Sequence, residues 1–170
     1  MTPFPEKSEA APYYFRYIDR VASPDILGEL EKQEKETLDL LAGISEEMSL
    51  SRYAPGKWSV RQLWNHVNDC ERLFLSRAFW FARGFEDALP SFEQDDAAVA
   101  ARADDFPWSS HVEDFRAVRS STRTFFRNLP AAAWARGGTA SGNPFTVRAL
   151  AFIIVGHAAH HTAILKERYF

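Results

Sequence analysis

The chain has 170 residues, with 20 Lys or Arg and 23 Asp or Glu, which gives a net charge of −3 and a pI of about 6.0. This length suits one domain over residues 1–170, and the 46% hydrophobic and 14% aromatic content excludes bulk disorder. The acidic balance disfavours general nucleic-acid binding, because proteins that hold a phosphate backbone are usually basic.

The single cysteine, Cys70, excludes an intramolecular disulfide and suits a reducing compartment. Residues 1–15 contain no apolar run long enough for a signal peptide. The longest strongly apolar stretch, residues 149–156, is far shorter than a membrane span. The sequence therefore predicts a soluble cytoplasmic protein without a membrane partner.

Long stretches without glycine or proline predict helices, because both residues weaken a helix interior. The first predicted helix spans residues 23–42, with Ser23 as N-cap, Pro24 at the first helical position and Gly43 at the end. The second spans residues 59–83 and also begins at a serine. We expect residues 1–22 to form an N-terminal arm that packs on the helical bundle.

Residues 84–107, which we call the acidic connection, follow the second predicted helix. Between Glu86 and Asp105 they contain seven acidic residues and one arginine, a net charge of −6. A solvated surface loop is the expected structure, with a short helix around residues 93–103.

The third predicted helix begins near Ser109 or Ser110 and ends before Pro130, and the fourth runs from Thr146 to the C-terminus. The glycines and the Asn-Pro pair within residues 137–144 predict a turn. Four long amphipathic helices without a convincing strand predict an all-α fold, a four-helix bundle.

Three of the five histidines lie in the segment GHAAHH, residues 156–161. On a helical wheel His157 and His161 fall one turn apart in the middle of an apolar stripe, whereas His160 falls toward its edge. His66 falls on a mainly apolar face of the second predicted helix. Because the inward faces of a bundle meet in one core, these three side chains can converge.

Burying three imidazoles is unfavourable unless each ring nitrogen finds a partner, and one divalent ion gives all three a common partner. The residues alone leave a second interpretation open, in which these are packed, hydrogen-bonded core histidines. We expect His66, His157 and His161 as metal ligands, with His160 and His111 outside the metal's coordination sphere.

Three more residues lie near this predicted site. Cys70, one turn after His66, is a possible fourth ligand or nucleophile, although a small packed thiol is the favoured interpretation. Asp69 is placed either to orient a ligand histidine or to form a helix–helix salt bridge. Arg77 shares the His66 face, and Asp69 and Arg77 are the candidate catalytic residues.

Arginines recur at three- and four-residue steps along the third predicted helix. The four residues are Arg116, Arg119, Arg123 and Arg127. The expected arrangement is a solvated face. In the alternative interpretation, Arg119 or Arg123 reaches the pocket mouth and pairs with a substrate carboxylate.

Two segments resemble motifs of the DinB/YfiT-like superfamily. The first is PGKWSVRQLWNHVND at residues 55–69, and the second is GHAAHH at residues 156–161. The order and spacing of the two fit the family, and the resemblance covers nearly the whole chain. In one respect the chain departs from some relatives, which have a further histidine where this chain has Glu71, so a role built on that histidine does not carry over.

The resemblance implies an up-down-down-up bundle with a long crossover after the second helix. It also implies one divalent ion, zinc or nickel, held by His66, His157 and His161. The activity it implies is that of a metal-dependent thiol transferase or hydrolase acting on a small molecule, with a low-molecular-weight thiol as a possible cosubstrate. The residues do not choose between these reactions, and a metal-binding stress-response or binding protein without turnover is the rival class.

Two expectations concern the surroundings of the site and the assembly. Because no fourth protein ligand is evident, we expect an open, partly apolar pocket suited to a small anionic or amphipathic ligand. A homodimer is the expected assembly, because the 14 Phe, 5 Trp and 5 Tyr provide much aromatic surface to bury. Light scattering that gives the monomer mass of 19.3 kDa over a broad concentration range would exclude the dimer.

Overall fold

A computed structural model describes residues 3–170, so the first two residues of the predicted arm lie outside the described part. The four long helices form the predicted all-α four-helix bundle, joined by two shorter helices and one small hairpin. The elements are α1 Phe15–Ile18, α2 Ile26–Ala42, α3 Val60–Ala82, α4 Gln94–Ala101, α5 Trp108–Arg127, β1 Gly137–Ala140, β2 Asn143–Thr146 and α6 Val147–Arg168.

Helices α3 and α6 begin where their sequences predict. The Ser59 hydroxyl accepts a hydrogen bond from the backbone N–H of Gln62, and the Gln62 side chain accepts one from the backbone N–H of Ser59, both at 3.0 Å. This reciprocal pair is a capping box. At the start of α6 the hydroxyl of Thr146 accepts from the backbone N–H of Ala149 at 3.0 Å.

Helices α2 and α5 begin at residues that differ from the prediction. The predicted N-cap at Ser23 is wrong, because the carboxylate of Asp25 accepts from the N–H of Gly28 at 3.2 Å and starts α2 at Ile26. Helix α5 begins at Trp108, one or two residues before the predicted start at Ser109 or Ser110. Its first N–H donates at 2.9 Å to a carboxylate oxygen of Glu46, a distant residue that a local capping pattern does not reveal.

Residues 137–146 form a two-stranded antiparallel hairpin, so the prediction of no strand is wrong here. The turn residues Ser141 and Gly142 have φ values of 51° and 71°. Left-handed backbone at both central residues is what a tight hairpin turn of type I′ requires. The short strands lack alternating apolar residues, which explains why this segment predicts only a turn.

Contacts between helix ends fix the direction of α2 and α5. The indole N–H of Trp108, at the start of α5, donates to the carbonyl oxygen of Leu41 at the end of α2, 3.2 Å away. The two helices therefore run antiparallel. Both α2 and α3 pack against α5 and α6, so α2 lies diagonally opposite α3, and α5 lies diagonally opposite α6.

Helix α3 runs parallel to α5 and antiparallel to α6. Trp64 in the first turns of α3 packs edge-on against Phe115 in the first half of α5, with ring centroids 5.5 Å apart. At the other interface, the hydroxyl of Tyr169 after α6 donates to the carbonyl oxygen of Trp58 just before α3, at 2.7 Å. The resulting order is up-down-down-up, with the acidic connection as the long crossover after α3.

Helix α6 contains a long unbroken run of buried residues, and most side chains from Val147 to Ala158 are inside the core. By length and composition it is the one helix among residues 3–170 that is long and apolar enough to cross a membrane. Within its most apolar window, 67% is buried inside the protein, as expected for the central helix of a bundle.

The N-terminal arm packs on α6 through α1, at a point where the two backbones come very close. A Cβ atom added to Gly156 would collide with the carbonyl oxygen of Tyr17. The ring of Tyr17 lies edge-on to His157, with centroids 5.2 Å apart. The glycine of GHAAHH therefore lets the arm reach the first histidine of that motif.

We expect Gly156→Ala to destabilise the protein by about 1–3 kcal/mol, because the added methyl group overpacks the contact between α1 and α6. Urea unfolding measures this loss. Gly43→Ala is the matched control, since Gly43 has a φ of −80° and its added Cβ would lie 3.4 Å from the nearest atom. A change below about 0.5 kcal/mol is expected there, and equal effects in both variants would contradict the close-approach argument.

Candidate metal site

Helices α3 and α6 bring His66, His157 and His161 together at their interface, and we call these three residues the histidine cluster. Each contributes a ring nitrogen, and these atoms all lie within 4.8 Å of one another. The three side chains are between 4% and 8% exposed. The i, i+4 spacing on α6 and the antiparallel packing of α3 create this arrangement.

Burial keeps the rings of the histidine cluster neutral. Desolvation lowers the pKa of His66 from 6.5 to about 4 and that of His161 to about 3. The pKa of His157 is also far below its usual value, because the ring is buried and the neighbouring imidazoles would repel a positive charge. Neutral imidazole is the form that binds a metal ion.

The ring nitrogens of the histidine cluster have too few partners in the protein. The Nε2 atoms of His157 and His161 lie 3.1 Å apart, and a contact between two neutral rings holds at most one proton. The Nδ1 atom of His161 is buried and has no hydrogen-bond partner within residues 3–170. Three neutral imidazoles, one of which has a buried nitrogen without a partner, fit a divalent ion of the zinc or nickel type.

A cavity of about 570 Å³ lies against the histidine cluster, with His66 and His157 in its wall. This volume falls in the usual range for small-molecule sites. Its other walls come from four parts of the chain: the arm (Tyr13, Tyr14, Tyr17), α3 (Cys70, Leu73, Phe74, Arg77), the acidic connection with the start of α4 (Phe92, Glu93, Gln94, Asp95, Asp96) and the hairpin turn (Ser141).

A sequence model of the DinB superfamily matches residues 29–165, a range that contains the whole histidine cluster. The chain belongs to the DinB superfamily. The resemblance of its two motifs to that family is therefore confirmed.

One solved structure similar to this DinB chain is YfiT from Bacillus subtilis, described as a probable metal-dependent hydrolase with an unusual four-helix bundle topology. The match has a TM-score of 0.72 and covers 98% of this chain and 91% of that one. At 16% sequence identity it establishes a shared fold. Comparison with curated proteins gives no match.

Asp69 and Cys70 follow His66 on α3, and only Cys70 lines the cavity of this DinB protein. Asp69 accepts a hydrogen bond from Asn65 at 2.7 Å and pairs with Arg72 at 3.4 Å. Arg72 also donates to Asp114 of α5 at 2.9 Å, which places Asp69 in a polar network between helices. The Cys70 sulfur lies 3.6 Å from the Nδ1 atom of His66. Burial raises the pKa of this thiol to about 12, so it is a packed, protonated neighbour of the histidine cluster.

Of the four arginines of α5, Arg116 and Arg127 are exposed, as a solvated face predicts, whereas Arg119 and Arg123 pair with carboxylates of other helices. Arg119 is fully buried and forms a two-bond ion pair with Glu71, with both N–O distances 2.8 Å. Arg123 pairs with Glu31 and Glu34 of α2. Neither arginine lines the cavity, so the alternative contact of Arg119 or Arg123 with a substrate has no support here, and the expected solvated position of Arg119 is wrong.

Glu71 occupies the position where some DinB relatives have a further histidine. Its carboxylate is held by Arg119, and the side chain is 3% exposed. The residue therefore connects α3 to α5 and is not among the three residues of the histidine cluster.

The two remaining histidines lie apart from the cluster's shared centre. His160 is half-buried, with its ring against Tyr17 at 5.5 Å between centroids. His111, on α5, makes a 2.9 Å hydrogen bond with the carbonyl oxygen of Ala103. Each has a contact that does not involve a metal.

Sequence reasoning missed several walls of the cavity. The predicted short helix of the acidic connection forms as α4, and this segment also brings Glu93, Asp95 and Asp96 to the cavity rim, where they remain exposed. The three tyrosines of the arm, all within residues 13–17, are not among the predicted site residues. That concentration of aromatic residues in a polar N-terminal region was the available signal.

Proposed function

We propose that this protein binds one divalent ion, zinc or nickel, through His66, His157 and His161, and hydrolyses a small molecule in the adjoining cavity. The observation that carries the proposal is the group of three neutral, buried imidazoles beside a cavity that opens to solvent. A structural zinc site is normally closed by four protein ligands, whereas a catalytic site keeps one position open. Membership of the DinB superfamily and the likeness to YfiT support the same class.

A divalent ion held by three imidazoles supplies a Lewis acid beside the cavity when it is bound. The residues of the cavity then orient the substrate and accept protons. Glu93, Asp95 and Asp96 line the same cavity, and one of these carboxylates would accept the proton that an attacking water releases.

Transfer of a low-molecular-weight thiol would use the same open position, so the test below includes a thiol. Cys70 is unsuited to act as the nucleophile, because its buried thiol keeps its proton at neutral pH. A free, unpaired cysteine also suits a reducing cytoplasm, the compartment we propose.

Cobalt substitution tests the open position. Protein purified without a His-tag and loaded with Co²⁺ is expected to change its visible absorption when azide or 2-mercaptoethanol is added, because either ligand can occupy the free position. Cys70→Ser is expected to keep the metal and the same response. If neither ligand changes the spectrum and Cys70→Ser abolishes cobalt binding, Cys70 closes the site and the proposal is wrong.

Hydrolysis itself is tested with a panel of p-nitrophenyl esters and amides. Turnover is expected to require the metal and to disappear on chelation. A cobalt form that responds to azide but hydrolyses no member of the panel, and transfers no thiol to an electrophile, would indicate a metal-binding protein without turnover.

A further inference from the structure

Arg77 is a buried cation in the wall of the cavity. Its residue is 2% exposed, and it lines the same cavity as His66 and His157. Within the described residues 3–170 its guanidinium forms no ion pair with a carboxylate, and its Nε atom is buried without a hydrogen-bond partner. Arginine remains charged in proteins, so an uncompensated positive charge lies inside this cavity.

The other two buried arginines of the described residues each form an ion pair with a carboxylate. Arg61 is paired with Glu46, and Arg119 with Glu71. Each of these cations has a carboxylate from another segment of the chain. Arg77 differs from both, and it is also the one of the three that borders the cavity.

The contacts that Arg77 does make hold it in position. Its Nη2 group donates to the hydroxyl of Ser141 at 2.8 Å and to the carbonyl oxygen of Pro90 at 3.2 Å. These neutral acceptors come from the hairpin turn and the acidic connection. They fix the guanidinium without neutralising it, which leaves donor capacity for an anionic ligand.

We propose that Arg77 binds the carboxylate of a small monoanionic substrate. The aromatic and apolar side chains of Phe74, Leu73 and Phe92 then contact the body of that molecule. This inference rests on the proposed function in one respect: it assigns the substrate class of the same cavity. Arg77 is a binding residue in this assignment, and it takes no part in bond breaking.

The negative charge at the rim of the cavity narrows the expected substrate class further. Glu93, Asp95 and Asp96 are exposed carboxylates at that rim. They repel a ligand with two or more negative charges, while a single carboxylate with an apolar body meets less repulsion. The expected substrate is therefore an aryl or alkyl monocarboxylate and not a phosphate dianion.

Calorimetry with two matched probes tests this assignment. The probes are 3-phenylpropionate and 3-phenylpropanamide, which share one body and differ in charge. Zinc-loaded wild-type protein is expected to bind the carboxylate at least about tenfold more tightly than the amide, a ratio typical of charge-assisted hydrogen bonds. Arg77→Met is expected to remove this preference and leave the affinity for the amide unchanged.

Arg116→Met is the matched control, because Arg116 is an exposed arginine of α5 outside the cavity and its loss changes the net charge equally. It is expected to keep the preference. If Arg77→Met also keeps it, the carboxylate binds elsewhere and the assignment is overturned. If wild-type protein shows no preference while azide still perturbs its cobalt spectrum, this inference fails and the proposed function stands.

A second measurement covers the case in which Arg77→Met does not fold. The Nε–H signal of Arg77 in wild-type protein, assigned with Arg77→Lys, is expected to shift in the NMR spectrum when 3-phenylpropionate is added and to stay in place with the amide. An unchanged signal at saturating carboxylate overturns the proposal. If metal-free protein still shows the carboxylate-specific shift and the cobalt test fails, the assignment of Arg77 stands and the proposed metal-dependent function is wrong.

Discussion

His66→Ala and His161→Ala will each lose the bound metal, and His160→Ala will retain it. Without His66, two ligands remain on α6, and without His161, one ligand remains on each of α3 and α6. We expect affinity to fall by more than about 100-fold, since the loss of an outer hydrogen-bond partner alone costs roughly 10–100-fold. Elemental analysis of protein purified without a His-tag measures the zinc or nickel content per chain.

His160→Ala is the matched control because His160 belongs to the same motif but packs against Tyr17, outside the histidine cluster. Full metal occupancy in His66→Ala would overturn the three-histidine site. Loss of metal in all the variants, with unchanged circular dichroism, would show that the ion depends on residues beyond the cluster.

Arg119→Ala will destabilise the metal-free protein by about 3–5 kcal/mol, the usual cost of removing one partner of a buried ion pair. The Arg119 side chain is 0% exposed and that of Glu71 is 3% exposed, so the variant leaves a carboxylate buried without its cation. The Gln33 side chain also loses a donor 2.8 Å away. Urea unfolding of metal-free protein measures the loss without a contribution from metal binding.

Two comparisons make this result specific. Arg123→Ala removes a more exposed arginine of the same helix and is expected to cost about 0–1 kcal/mol. The double variant Arg119→Met with Glu71→Leu is expected to recover much of the lost stability, because it removes both charges and keeps their volume. If Arg119→Ala costs no more than Arg123→Ala, the buried pair contributes little to stability.

The helices of the bundle could be predicted because their signals are local. Ser59 and Thr146 cap the helices that follow them, and the apolar periodicity of the long helices sets their inward faces. The predictions were wrong where a residue distant in the sequence determines a helix start or pairs with a charge. The first N–H of α5 is satisfied by Glu46, and the charge of Arg119 by Glu71; neither partner is identifiable from local spacing.

The histidine cluster was predictable in part for the same reason. His157 and His161 are one turn apart on α6, so their common direction follows from helix geometry alone, and the inward face of α3 adds His66. The cavity walls were not predictable, because the arm tyrosines and Asp95 reach the cavity through tertiary packing. The sequence does not distinguish the roles of Asp69 and Arg77. In the structure Asp69 is paired with polar side chains outside the cavity, whereas Arg77 lines the cavity.

The histidine cluster joins an early helix to the last one in the chain. Helix α3 leaves the ribosome well before α6, with the acidic connection, α5 and the hairpin synthesised between them. In the proposed site, a complete set of ligands would exist only after α6 has been translated and docked, so an ion would be acquired after that point. An ion bound to the native state would hold the two segments together and oppose local opening of α6, by an amount that grows with the free metal concentration.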